Sequence, residues 1–256
     1  MSKWSYFNLV TQDSTIITAS SEDPFFPASN IKKTFQNKVF RSVSGVPTAS
    51  IIFDLKTSEE VNSIMVRANG FLGVGFTGSL TIEANGTSNF TSPAYSTSLT
   101  FDPQFNLGFK FLPTKQNYRY WRVTGTGTDY LELSNIFIGQ YIEMENDMEL
   151  GWSFQENDRS KTVENRYGQQ FTDELNSRKD LNGSHKLLEK EEAELLSVMW
   201  DYCGKNKPVW VVMDSEEAIS LHAGRYAGLF NFTDRPRIRN NHYALYDTNT
   251  TLKEAI

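Results

Sequence analysis

Cysteine is almost absent from this chain: Cys203 stands alone, so no internal disulfide can form and the fold must hold by packing. Histidine is nearly as scarce. His185, His222 and His242 lie far apart, none in an H-x-x-x-H or C-x-x-C setting, so no metal site is expected. No run of about 18 apolar residues exists, which excludes a helical membrane span from the reading. The opening MSKWSYFNLVTQDS has neither an apolar core nor a small-residue cleavage site, so no secretory signal is expected there. Without one, the Asn-x-Ser/Thr sites at Asn85, Asn89, Asn182, Asn231 and Asn249 carry no chemical meaning. With a formal charge of −6 and neither half broadly basic, nucleic acid is not an expected partner, because neutralising phosphates takes clustered Lys and Arg.

Catalytic constellations are missing as well. Gly73-Val-Gly-Phe-Thr-Gly78 matches G-x-G-x-x-G, but Ser79 to Ala84 follows it with strand periodicity where a dinucleotide fold needs a helix. No G-x-S-x-G occurs, and Cys203 falls on the apolar stripe of a helix as filler. Carboxylates crowd at Glu143, Glu145, Asp147 and Glu149, where an acidic run reads as a solvated connector. The expectation is a protein that is not an enzyme and needs no cofactor.

What is present is β-pattern. The runs Ser50 to Leu55, Val61 to Ala68, Ser79 to Ala84, Tyr118 to Thr124 and Leu131 to Gly139 are short, apolar-alternating and separated by glycine-rich turns, as in an antiparallel sandwich. Alternation sets Phe53 and Leu55 toward a core with Asp54 outside. Tyr120 and Val123 are expected inside, Arg119 and Arg122 outside. One stretch breaks the period of two. From 189 to 203 the apolar residues Leu195, Leu196, Met199, Tyr202 and Cys203 gather on one side of a helical wheel together with Leu188. Acidic residues mark its start, Gly204 its end, and Pro208 forbids continuation. Val209 to Met213 then reads as a strand, so this amphipathic helix must lie on a sheet.

Composition shifts at the acidic QYIEMENDMEL, giving three expected segments: a domain over 1–142, a linker over 143–150 and a second domain over 151–256. In the first, Ala19-Ser-Ser21, Asn30-Ile31, Arg41-Ser42, Ile51-Ile-Phe-Asp-Leu55, Tyr118-Arg-Tyr-Trp-Arg-Val123 and Ile136-Phe-Ile-Gly139 follow one another in the order seen in discoidin domains, also called factor 5/8 C-type or galactose-binding-like domains. The resemblance implies a jelly-roll β-sandwich that binds glycans or lipid headgroups through loops at one end. The aromatic candidates for those loops are Phe25, Phe26, Phe71 and Phe76.

The second domain carries Arg159 to Tyr167-Gly168, a strand with Arg178, the helix KLLEKEEAELL, the segment GKNKPVWVVMD and a late Tyr-rich strand. This series is similar to the C-terminal domain of minor tail proteins of tailed bacteriophages, related to distal-tail and tail-tip rings. It implies a β-barrel or sandwich with one helix, assembling as a homo-oligomeric ring, hexamer or trimer, beside tail-tube and tail-tip proteins. The expected location is then the virion tail, after synthesis in the host cytoplasm. The basic cluster Arg235, Arg237 and Arg239 is the candidate subunit contact, clamping a neighbour's acidic segment. Three functions therefore stand open: a structural tail component, a carbohydrate-binding adhesion protein recognising a bacterial surface glycan, and a sugar hydrolase for which no residue pair nominates itself.

Overall fold

The computed structural model describes residues 2–33, 38–46, 48–68, 79–102, 107–126, 130–143, 152–173, 178–213, 226–242 and 245–255. Among the described residues it is mainly β with one α-helix, and the strand pairings whose register is resolved are antiparallel. Two compact units emerge. One comprises Lys3–Glu143 with Trp210–Gly228, the other Met1–Ser2, Met144–Val209 and Leu229–Ile256.

The first unit is an antiparallel β-sandwich built on two long strands, Thr48–Arg67 and Leu107–Thr126. Thr48–Arg67 absorbs two of the shorter runs expected from alternation, Ser50 to Leu55 and Val61 to Arg67, and Leu107–Thr126 absorbs one, Tyr118 to Thr124. Both bend at register shifts between Asp54 and Glu59 and between Val61 and Ser63, so each strand serves two layers of the sandwich. One layer orders its strands Ile16–Ala19, Thr48–Arg67, Leu107–Thr126, Ser79–Asn85 and Tyr95–Asp102. Asn135–Gly139 pairs with the far half of Thr48–Arg67. Ile51, Phe53, Ile82, Trp121 and Val123 fill the core between the layers. Tyr120, expected inside, does not belong there: Trp121 and Val123 take the core positions, and the period of two puts Tyr120 on the side of Arg122.

A strand near the N-terminus, Lys3–Ser5, joins this unit to residues far along the chain. Lys3–Ser5 pairs with Ile142–Glu143 on one side and with Trp210, Val211 and Val212 on the other, burying Trp4 completely. Glu143 of the expected linker thus sits in a strand, with its carboxylate 3.9 Å from the Lys3 ammonium.

In the second unit, Leu245–Glu254 is central, flanked by Arg178–Leu188 and by Phe230, Asn231 and Phe232, with Ser153–Asn157 beyond. The helix spans Lys190–Cys203 and packs Ala193, Leu196, Met199 and Cys203 inward. Glu189 is its cap rather than its first residue. Its side chain accepts from the N3 backbone while the Glu192 carboxylate accepts from the Glu189 N–H at 3.0 Å. Leu188, assigned to the helical stripe by sequence, ends the preceding strand instead, yet still meets Leu196 and Tyr246. Gly204 closes the helix at φ 53°, a left-handed value that favours glycine. Lys161–Glu164 and Gln170–Asp173 form the polar hairpin, turning at Gly168 with φ 79°.

Candidate functional site

In the first unit, the outer face of the five-stranded layer carries a row of hydroxyls beside a charged pair. Because Ala49, Ile51 and Phe53 point inward, Thr48, Ser50 and Ile52 point out; because Trp121 and Val123 point inward, Arg122 and Thr124 point out. The same rule turns Thr81 and Glu83 to this face between Leu80, Ile82 and Ala84, Thr81 exposed and Glu83 covered. Register then aligns them across strands. Ser50 is opposite Thr124, Thr124 opposite Thr81, and Thr81 opposite Ser98, a row of four hydroxyls on four adjacent strands. Strand spacing sets these at about 4.8 Å intervals.

The next row holds the charges. Arg122 lies opposite Glu83 and donates from Nε to its Oε2 at 2.7 Å, with the guanidinium also stacked 4.5 Å from the centre of the Phe90 ring. Both groups are largely covered, at 26% and 11% side-chain exposure, so the pair is fixed in direction. Around it lies a shallow hollow of about 350 Å³, lined by Ser20, Thr48, Ser50, Thr81, Thr124, Glu83 and Arg122. Within it the Thr124 hydroxyl oxygen is buried and has no hydrogen-bond partner. A buried hydroxyl without a partner costs about 1–3 kcal/mol, which a ligand hydroxyl would relieve.

A loop leads away from this hollow to an exposed aromatic ring. Ser20 is locked to the sheet by reciprocal bonds, its N–H to the Ser50 carbonyl at 2.8 Å and its hydroxyl accepting from the Ser50 N–H at 2.9 Å. Farther along, the Asp23 carboxylate accepts from the Phe25 N–H at 2.9 Å and holds Phe25 with 86% of its surface exposed. Phe26 turns the other way. Its ring lies 4.3 Å from the Arg41 guanidinium, which also covers Tyr130 and donates to Glu132 at 2.7 Å. Phe25 is therefore available to a ligand, whereas Phe26 braces the loop. Phe71 and Phe76 lie outside the described residues, as do Gly73 to Gly78 and the acidic residues Glu145, Asp147 and Glu149.

Arg235, Arg237 and Arg239 belong to the other unit and have no part in this hollow. All three are exposed, and Arg235 donates to Asp201 at 3.3 Å. His185 is fully buried in Arg178–Leu188, His242 ends the strand Arg239–His242, and His222 lies outside the described residues. Among the described residues no three His, Cys, Asp or Glu side chains gather as a metal site. Burial pushes the Cys203 thiol up to about 12, far from the range of a nucleophile.

No family model matches the sequence, and no curated protein matches it. Solved structures do. A chitosan-binding module from a Paenibacillus sp. IK-5 chitosanase/glucanase is 22% identical and aligns over 53% of this chain and all of its own, at a TM-score of 0.42. The family 32 carbohydrate-binding module of C. perfringens NanJ, solved with galactose, is 15% identical over 54% of this chain and 99% of its own, at 0.43. The lectin domain of Lectinolysin, solved with Lewis B antigen, is 13% identical over 53% and 98%, at 0.45.

Proposed function

We propose that this chain is a carbohydrate-binding protein and that its first unit holds the glycan at the hydroxyl-lined hollow, without a bond-making step. The carrying observation is the partnerless Thr124 hydroxyl beside the Arg122–Glu83 pair. Sugars present hydroxyls that both donate and accept, and they are recognised by a few fixed polar groups plus an apolar surface under the ring. The hollow supplies an oriented donor in Arg122, an acceptor in Glu83 and hydroxyls that serve either way. Phe25, on the loop that starts at Ser20, supplies the apolar plane. Nothing among the described residues supports the tail-tip role or the ring that the back-half resemblance implies.

Chitosan oligosaccharide, galactose and the Lewis b antigen are the ligands to test first. Titration calorimetry of the full chain is expected to show binding to at least one. Thr124→Val and Phe25→Ala should each weaken it about tenfold, the size of one good contact. Binding to none of a broad glycan panel, or binding indifferent to both substitutions, contradicts the reading.

A further inference from the structure

The second unit contains a larger hollow, about 980 Å³, that the glycan reading of the first unit leaves unused. One wall is the loop Asp234–Ile238; the other is formed by Ser184 to Lys186 and Asp247 to Asn249 on two paired strands. The loop is seated by Thr233, whose N–H and hydroxyl both reach the Thr251 carbonyl at 3.1 Å, and by Pro236, which is buried. Facing it, the strand pair slips register between His185 and Leu188, and Leu187 adopts φ 59°, a strained left-handed value for a leucine. The Asp247 carboxylate holds that bulge by accepting from the Leu187 N–H at 3.2 Å.

Charge is sorted in this hollow. Among the described residues, Lys186, Arg235, Arg237 and Arg239 line it, against two carboxylates, Asp234 and Asp247. Both carboxylates are engaged, Asp234 with Lys205 at 3.1 Å and Asp247 with the bulge. Among the described residues, neither Arg237 nor Arg239 has a carboxylate partner. In a chain of net charge −6, two such guanidiniums on one wall leave a site that favours anions. An independent observation comes from the floor. Thr248 is 3% exposed and lines the hollow, and its hydroxyl has no hydrogen-bond partner. A group desolvated this far without a partner is satisfied by a ligand oxygen.

We infer that this hollow binds an acidic sugar, a ligand bearing carboxylates or phosphates among hydroxyls. The guanidinium fork matches either oxyanion in a bidentate manner. Ser184, Thr248 and Asn249 supply neutral donors and acceptors for the hydroxyls. Among the described residues no Phe, Tyr or Trp lines the hollow, so none of them offers a ring on which a nucleobase would stack. The site is separate from the hollow of the first unit, and the failure of either leaves the other standing.

Titration calorimetry of the full chain tests the assignment with oligogalacturonate, galacturonic acid, glucose 6-phosphate, inorganic phosphate and an uncharged galactan. At least one acidic sugar is expected to bind, about tenfold more weakly as sodium chloride rises from about 50 to about 500 mM. The double variant Arg237→Ala/Arg239→Ala should raise Kd at least about tenfold. Thr248→Val should raise Kd severalfold while Thr248→Ser, which keeps the hydroxyl, restores affinity. Lys115→Ala, an exposed cation paired with Glu60 in the other unit, should change nothing. Binding of galacturonic acid or glucose 6-phosphate as tightly as the oligomer assigns the site to a single acidic sugar, and binding of the oligomer alone assigns it to a chain. Equal affinity for the uncharged galactan, affinity for inorganic phosphate alone, or an arginine variant indistinguishable from the parent overturns the inference.

Discussion

Arg119 grips Asp54 with two hydrogen bonds, Nε to Oδ1 at 2.7 Å and Nη2 to Oδ2 at 2.9 Å, at the point where the two long strands of the sandwich bend. The bend also needs Lys56 at φ 73°, and the Lys56 N–H donates back to Asp54 at 2.9 Å. One carboxylate thus serves both the turn and the neighbouring strand. Hydrogen bonding from Arg119, then from Lys56, holds the Asp54 carboxyl well below its ordinary 3.8.

That depression has a sign in stability. The unfolded chain binds a proton here at a higher pH than the native one, so the contribution is complete above the ordinary carboxylate value. It shrinks as acid lowers the pH below about 4 toward the native value. Asp54→Asn should lower the melting temperature at pH 7, and the gap to the parent should narrow steadily below about pH 4. A gap independent of pH would deny the ionised pair its role.

Gly139 is required by a close approach. A Cβ there would meet the Phe7 carbonyl oxygen at 2.5 Å and the Phe137 ring at 2.9 Å. The carbonyl belongs to backbone held by the Asn8–Gly139 bridge and by the Asn8 side chain, which donates to the Ile136 carbonyl at 2.9 Å. It cannot retreat as a side chain would. Gly139→Ala is expected to destabilise by about 1–3 kcal/mol in denaturant titration. Gly86→Ala, where nothing lies within 4 Å, is the control.

Cys203 is a buried filler of the helix stripe, and desolvation disfavours its thiolate. A disulfide-exchange reagent at about pH 8 should leave the folded protein unmodified and label one thiol per chain once denaturant is added. Rapid labelling of the folded chain would place the thiol at the surface.

Much of the fold was legible because the residues state it locally. Glu189, Glu192 and Gly204 mark the helix within one or two residues, and Phe53, Leu55 and Asp54 alternate as the sandwich requires. Ile16–Ala19 and Tyr95–Asp102 escaped reading although Ile17, Ala19, Tyr95 and Leu99 face the core: the first is only four residues long, and the second is otherwise rich in Ser and Thr. The partner of Trp210 to Val212 escaped for a different reason. It is Lys3–Ser5, about two hundred residues upstream, and no local pattern announces such a pairing.

The candidate site was the least legible part. Ser50, Thr81, Glu83, Arg122 and Thr124 read singly as solvated strand residues, and only register makes them neighbours. The aromatic candidates are recognisable by residue type alone, and of those described, Phe25 is exposed while Phe26 is spent on Arg41.

The central claim is that the open sheet face of the first unit takes a glycan at the hollow beside Thr124. Backbone chemical-shift mapping of the full chain, titrated with whichever panel glycan binds, tests it most directly. Shifts concentrated at the amides of Ser50, Thr81, Arg122 and Thr124, with Phe25 joining them, are the predicted result. Shifts confined to other surfaces, with these amides unmoved at saturation, would contradict it.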